Sequence, residues 1–268
     1  MVRVGLVGCG TIGTQLALAL QRDDASRAKV VALHDADPAH AHALAARLRP
    51  APVICSLPEL IRRSDLVLEA ASASIAAEVA VRALRAHRNV FIMSIGGLLR
   101  NREWQRAAAR SRAAVYMPSG ALAGLDGVKA LAMGRIRRVR LTTSKPPRAL
   151  ASAPYVQRKR LNLTRLTRPR LLYEGPPEAV VRAFPQNTNV AAAVTLASGA
   201  PSSRIRIRVV ADPALRRNRH ELEVDGDCGR IRCTIESEPS VNPKTSELAI
   251  RSALATLKQL FSPIRIGT

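Results

Sequence analysis

Three glycines near the start of the chain have the spacing of a phosphate-binding turn. Gly8-x-Gly10-x-x-Gly13 follows the apolar run Val2–Val7 and precedes the helical pattern Thr14–Arg22. In such a turn Gly8 permits the tight bend, Gly10 lets the backbone approach a pyrophosphate, and Gly13 allows close packing of helix on strand. Glycines between a strand and a helix therefore predict a dinucleotide site.

The start of that helix and one carboxylate complete the predicted site. N–H groups at a helix N-terminus bind phosphates, and here they belong to Thr11, Ile12 and Gly13. Asp35 follows the second strand pattern, Lys29–Leu33, about 20 residues after the glycines. A carboxylate at this position accepts hydrogen bonds from the adenine ribose and repels a 2′-phosphate. The sequence predicts NAD as the preferred cofactor, with NADP also usable.

One histidine is the candidate acid–base group. His220 is the only histidine in the second half of the chain, and it lies in the polar run NRHELE. A neutral imidazole with a pKa of about 6.5 exchanges protons at neutral pH. The alternative is a structural histidine at the beginning of a strand, and the sequence leaves both interpretations open.

The pattern of apolar residues changes at about residue 120. Before it, strand patterns alternate with helices of about 10–15 residues, which predicts a Rossmann-type parallel sheet. After it, polar and apolar residues alternate, which is typical of antiparallel strands covered on one face. The fold class predicted is α/β, with a smaller α+β domain whose sheet is mainly antiparallel. We expect a dinucleotide-binding domain at 1–120, a domain for substrate, catalysis and oligomerisation at 121–239, and a terminal helix within 240–268 that returns to the first domain.

The charge of the chain is strongly positive. Lysine and arginine number 42 against 20 acidic residues, a formal net charge of +22, while aromatic residues make up only 3%. The densest basic stretch, Val156–Arg170, contains no aromatic residue on which a base could stack. We expect a solvated basic surface that attracts anionic ligands, with no specific recognition of nucleic acid.

Cysteines and apolar runs exclude several classes of protein. The four cysteines form no CxxC pair, so we expect no metal site. No apolar run reaches the roughly 18 residues of a membrane span, and the first residues lack the pattern of a signal peptide. The expected location is the cytoplasm.

Several segments, taken in order, resemble the L-aspartate dehydrogenase family. They extend nearly end to end: GCGTIG, EAAS, MSIGGLL, MPSGALAGLDGVKAL, SKPP, FPQNTNVAA, NRHELE and NPKTSELA. The resemblance implies oxidation of L-aspartate with NAD(P) to iminoaspartate, then oxaloacetate and ammonia, in support of NAD biosynthesis. It also implies that His220 is the catalytic histidine, that Ala121 and Asn189 contact NAD, and that the chain forms a homo-oligomer, with a homodimer as the expected state.

A substrate with two carboxylates requires cationic or hydrogen-bonding partners. Four side chains are candidates for this role: Ser119, Lys145, Lys244 and Thr245. Each of them could instead be an ordinary loop cap.

Two other functions remain open at this point. The basic charge is compatible with a Rossmann-type redox sensor that binds NAD(H) and regulates a partner without catalysis. A related two-domain reductase acting on another amino acid is the enzymatic alternative, such as a relative of dihydrodipicolinate reductase or homoserine dehydrogenase. The former family has paired histidines in its second domain, and this sequence has no such pair.

Overall fold

The computed structural model describes residues 1–23, 27–185, 189–238 and 246–267, and the chain divides into two units. The first unit consists of Met1–Pro118 with Ile250–Arg265. The second consists of Ser119–Ala249 with the residues from Ile266 onward. Each unit has a hydrophobic core of its own.

A six-stranded parallel sheet forms the centre of the first unit. Its strands are β1 (Val2–Val7), β2 (Ala28–His34), β3 (Val53–Ile54), β4 (Leu66–Glu69), β5 (Asn89–Ile92) and β6 (Val115–Tyr116). Their order is β3-β2-β1-β4-β5-β6, and every pair is parallel. This is the strand order of a dinucleotide-binding domain, so the predicted Rossmann-type sheet is confirmed.

Helices connect these strands. They are α1 (Thr11–Asp23), α2 (Pro38–Ala45), α3 (Leu57–Arg63), α4 (Ala76–Arg85) and α5 (Glu103–Arg110), with a 3-10 helix at Ile95–Arg100. The start of α2 follows from its sequence, because the Asp37 side chain accepts a hydrogen bond from the Ala39 N–H and Pro38 takes the first helical position. The short helix α3 was not predicted, since seven residues are too few for a clear helical period.

A five-stranded sheet forms the second unit. Its strands are β7 (Ile136–Lys145), β8 (Arg170–Gly175), β9 (Ile205–Ala211), β10 (Asn218–Gly226) and β11 (Arg230–Ser237). The order is β11-β10-β7-β9-β8; β7 and β9 run parallel, and the other pairs are antiparallel, which confirms the mainly antiparallel sheet. The sequence did not reveal β8, because a register shift between Leu171 and Tyr173 breaks its alternation.

Helices cover one face of this sheet. They are α6 (Leu125–Leu131), α7 (Pro147–Leu150), α8 (Pro154–Arg158), α9 (Pro177–Ala183) and α10 (Asn189–Ser198), with a 3-10 helix at Ser202–Arg204. The last helix, α11 (Glu247–Phe261), places Ala253 and Leu257 in the core of the first unit. None of the helices in the described part of the chain is long and apolar enough to cross a membrane.

Much of the arginine of the second unit lies on the other face of its sheet. Arg138 and Arg140 alternate along β7 with the buried Val139 and Leu141. Arg138 of β7 forms an ion pair with Asp225 of β10, at 2.7 Å between the Arg138 Nη2 and the Asp225 Oδ2. Exposed pairs of this kind contribute only about 0–1 kcal/mol each, so they keep a sheet face hydrated rather than hold the fold together.

Candidate active site

The glycine turn has a geometry that only glycine allows at two of its positions. Gly8 has φ of +94°, and a Cβ atom there would lie 2.6 Å from the Ala71 backbone nitrogen. At Gly13 a Cβ atom would overlap the carbonyl oxygen of Gly8. Both positions pack backbone against backbone at the carboxyl ends of β1 and β4, which closes the turn tightly against the sheet.

The residues present fit a pyrophosphate at the start of α1. This helix begins at Thr11, three residues before the apolar period becomes visible in the sequence, and its first bond runs from the Thr14 N–H to the Gly10 carbonyl at 2.9 Å. The N–H groups of the first turn have no acceptor inside a helix. A Cβ atom at Gly10 would meet no atom within 4 Å, so the backbone faces open space there. Free N–H groups beside such space suit a phosphate.

Asp35 also accepts hydrogen bonds from the protein backbone, which the sequence did not reveal. Its Oδ2 accepts a hydrogen bond from the Cys9 N–H at 2.6 Å, and its Oδ1 accepts one from the Asp37 N–H at 2.9 Å. Burial opposes ionisation of this carboxyl, but the two N–H donors hold its pKa below the usual value. Asp35 is therefore an anion that ties the glycine turn to the end of β2.

Glu69 ends β4 at the same edge of the sheet, and the sequence alone assigned it no role of its own. Its carboxylate is fully buried, and it accepts hydrogen bonds from the Ala71 N–H at 2.9 Å and the Ser94 N–H at 3.0 Å. Burial raises the pKa of this carboxyl. The available signal was a charged residue at the end of the apolar run DLVLEA.

In the second unit, buried polar side chains gather at one edge of the sheet. Thr143 and Lys145 lie at the end of β7, His220 near the start of β10, and Ser237 at the end of β11. These strand ends share an edge because β10 is antiparallel to both β7 and β11. Farther along the same face the side chains are apolar: Val139, Leu141, Leu222 and Val224. The arrangement resembles a small polar site at the end of a hydrophobic core.

His220 is held by a neighbouring hydroxyl. It lies opposite Thr143 in the register of β10 and β7, is only 3% exposed, and its Nδ1 is 3.0 Å from the Thr143 Oγ1. Burial, together with the charge of Lys145, lowers the pKa of His220 to about 3. The ordinary value expected from the sequence is therefore wrong for the folded protein. The ring is therefore neutral at neutral pH, and Nδ1 makes the contact with Thr143.

Lys145 belongs to the same edge. It is two residues from Thr143 on one strand, so the two side chains share a face, and it is only 5% exposed. Burial lowers the pKa of Lys145 to about 8. The ammonium is thus cationic at neutral pH in a place where water provides little screening, which suits a carboxylate ligand.

Ser237 is a residue that sequence reasoning missed. It is 5% exposed and lies directly opposite Asn218, two positions from His220 along β10. Its Oγ is buried without a hydrogen-bond partner in the described part of the chain. Buried hydroxyls are normally paired, so Ser237 is a candidate to contact a ligand at this polar edge. Nothing in the sequence separates it from other strand serines.

Comparisons with known proteins match both parts of the chain. The model of the family "Aspartate dehydrogenase, C-terminal" matches residues 126–260, and that of "Homoserine dehydrogenase, NAD binding domain" matches residues 8–118. L-Aspartate dehydrogenase of Methanosarcina barkeri is 41% identical over the whole of both chains. L-Aspartate dehydrogenase 3 of Bordetella bronchiseptica is 39% identical over 99% of this chain and 97% of its own. The chain belongs to the L-aspartate dehydrogenase family.

A solved structure supports the same assignment. The aspartate dehydrogenase of Thermotoga maritima superimposes with a TM-score of 0.75 at 25% identity, and the match covers all of both chains. The resemblance noted in the sequence is therefore confirmed. As a member of the L-aspartate dehydrogenase family, the chain is an NAD(P)-dependent oxidoreductase.

The remaining candidates include two NAD contacts implied by the resemblance, Ala121 and Asn189, and three side chains suggested by a substrate with two carboxylates: Ser119, Lys244 and Thr245. Ser119 and Ala121 precede α6; Ser119 is half-buried, and Ala121 is packed in the hydrophobic core. Asn189 is the first residue of α10 and is exposed. Lys244 and Thr245 lie outside the described residues.

Replacing Asp35 by alanine is expected to change both the affinity for the cofactor and the preference between NAD and NADP. The variant loses a ribose acceptor and the bond to the Cys9 N–H, so kcat/KM with NAD should fall about tenfold or more. With NADP the decrease should be smaller, because the charge that repels the 2′-phosphate is also lost. Steady-state kinetics with both cofactors measure the ratio.

Asp37→Asn is the matched control. Asparagine also caps a helix, so this variant keeps the start of α2 and removes a charge only two residues away. Its cofactor ratio should equal that of the unchanged protein. An unchanged ratio in Asp35→Ala would show that Asp35 does not lie at the ribose.

Proposed function

We propose that this chain oxidises L-aspartate with NAD, giving iminoaspartate, which water converts to oxaloacetate and ammonia. The observation that supports this most directly is the buried edge where His220, bonded to Thr143, shares a face with Lys145. A neutral imidazole and a buried cation are what an amino acid with two carboxylates requires. The printed names of the full-length relatives agree with this substrate.

The first unit would hold the cofactor. The first-turn N–H groups of Thr11, Ile12 and Gly13 would bind the pyrophosphate, and Asp35 would bind the ribose. The chemistry that NAD would supply when bound is acceptance of the hydride from the α-carbon of the substrate. NAD is the cofactor we expect to be preferred, because Asp35 is ionised and would meet a 2′-phosphate directly.

His220 would move the protons. The α-amine must lose a proton as the α-carbon loses a hydride, so that a carbon–nitrogen double bond forms. In the tautomer whose Nδ1–H donates a hydrogen bond to the Thr143 Oγ1, the Nε2 lone pair would accept the proton of the amine. The carboxylates of the substrate add negative charge, which raises the proton affinity of the ring when it must accept. The same atom then assists water as it adds to the imine and ammonia leaves.

Lys145 and Ser237 would bind the substrate carboxylates. Lys145 supplies a buried positive charge, and Ser237 supplies a hydroxyl that has no partner among the described residues. Charge-assisted hydrogen bonds of this kind are about twice as strong as neutral ones. Ser119, in the half-buried loop before α6, remains a further candidate.

The decisive experiment is an assay of NADH formation with a panel of amino acids. L-Aspartate should give the highest kcat/KM, and L-asparagine and L-alanine, each lacking one carboxylate, should be poor substrates. The reverse reaction, oxaloacetate with ammonia and NADH, should consume NADH. If the protein binds NADH but does not turn over L-aspartate in either direction, the proposal fails and the redox-sensor hypothesis is preferred.

A further inference from the structure

The proposed reaction leaves one buried ionisable group of the first unit unused. Glu69 is 0% exposed and sits inside the parallel sheet, opposite Val7 of β1 and Ile92 of β5. Carboxylates are almost never fully buried unless something pairs with them. Its position at the carboxyl end of β4 places it at the edge where open α/β sheets bind their ligands.

The Glu69 carboxylate joins two loops. Oε1 accepts a hydrogen bond from the Ala71 N–H at 2.9 Å, and Oε2 accepts one from the Ser94 N–H at 3.0 Å. The N–H of Ser72 and the hydroxyl of Ser94 also favour the ionised form of this carboxyl. Two backbone donors from separate loops therefore meet one group, and an ionised carboxylate accepts on both of its oxygens. Neither an amide nor a protonated carboxyl accepts from both loops equally.

The loop that follows β4 packs against the glycine turn and against the segment that follows β5. Ala71 lies directly against Gly8, where a Cβ atom would be 2.6 Å from its nitrogen. A Cβ atom at Gly97 would lie 3.0 Å from the Ala73 Cα, so the 3-10 helix after Ser94 packs on the same segment. Glu69 is thus the shared anchor of the glycine turn and of the loops that follow β4 and β5.

We propose that Glu69 is a positioning residue for the cofactor. Its carboxylate fixes the loop that packs against the glycine turn, and so holds that turn in the position that dinucleotide binding requires. The inference rests on the proposed function only in requiring that the first unit bind NAD. Burial raises the pKa of the Glu69 carboxyl, so the fold itself disfavours the ionised form. Against that penalty, the N–H donors of Ala71 and Ser94 favour the ionised form, which accepts from both loops at once.

The test is Glu69→Gln, which keeps size and shape. The new amide nitrogen opposes an N–H donor of one loop, so that loop loses its acceptor. The Kd of NADH, measured by fluorescence titration, should rise about tenfold or more. The KM for L-aspartate at saturating NAD should stay within about twofold, and the melting temperature should change little, since a buried charge is removed along with a hydrogen bond. Glu78→Gln, at an exposed position of α4, is the matched control and should bind NADH normally.

A second variant keeps the inference testable if Glu69→Gln does not fold. Ser94→Ala removes only the hydroxyl near the carboxylate, so it should weaken NADH binding less than Glu69→Gln does. In the double variant the two effects should not add, because both act through the same contact. Unchanged NADH affinity in folded Glu69→Gln, or in Ser94→Ala when the first variant is unfolded, would overturn the inference. Titration of the unchanged protein separates the two proposals, because failure to bind NADH there would count against the proposed function instead.

Discussion

Replacing His220 by alanine is expected to reduce kcat for L-aspartate about 10²–10⁴-fold, which is the usual contribution of a placed acid–base group. NADH affinity should stay normal, because His220 lies in the second unit and the predicted pyrophosphate and ribose contacts lie in the first. Steady-state kinetics measure the first quantity and fluorescence titration the second. A melting curve checks that loss of a buried ring has not unfolded the protein.

His220→Asn and a distant control sharpen this result. Asparagine keeps a hydrogen bond to Thr143 but has no useful basicity, so it should be nearly as slow as alanine. His42→Ala, on the exposed side of α2, should turn over normally. Near-normal turnover of His220→Ala would remove the assignment and turn attention to Lys145 and Ser119.

Replacing Lys145 by methionine is expected to have the second large effect. Methionine keeps the apolar stem without the charge, so the KM for L-aspartate should rise about 10–100-fold while kcat changes less. Lys129→Met, on a more exposed lysine of α6, is the matched control and should leave both constants unchanged. If kcat collapsed with an unchanged KM, Lys145 would be a base rather than a carboxylate ligand.

The pH dependence provides an independent readout of the same residue. In the free enzyme Lys145 loses its proton at about pH 8, because burial lowers its pKa. Substrate binding needs the charged form, so kcat/KM should fall above that pH. A bound carboxylate raises the pKa of the ammonium, so kcat should not fall there. The limb should be absent in Lys145→Met. His220 should give no limb in the neutral range, since its pKa is lowered to about 3.

The glycine turn of the first unit was predictable because its requirements are local. Gly8, Gly10 and Gly13 belong to one turn between adjacent elements, and their role depends on backbone geometry that glycine alone permits. Asp35 ends the next strand, so its distance along the chain fixes its distance from the turn. For the same reason, clear periods gave most strands and the longer helices. The sequence missed the irregular edge strand β8 and five helices of seven residues or fewer: α3, α6, α7, α8 and α9.

The sequence by itself determined the fold class, the dinucleotide turn, the family and the candidate histidine. Only the tertiary structure decided the electrostatics of the site, because burial and neighbours come from residues far apart in the chain. Thr143 and His220 are 77 positions apart, and strand pairing alone brings them together. The fold buries both His220 and Lys145, and burial lowers the pKa of each side chain, which no local pattern encodes. Glu69 and Ser237 became visible in the same way, one through its two backbone donors and the other through a hydroxyl that has no partner among the described residues.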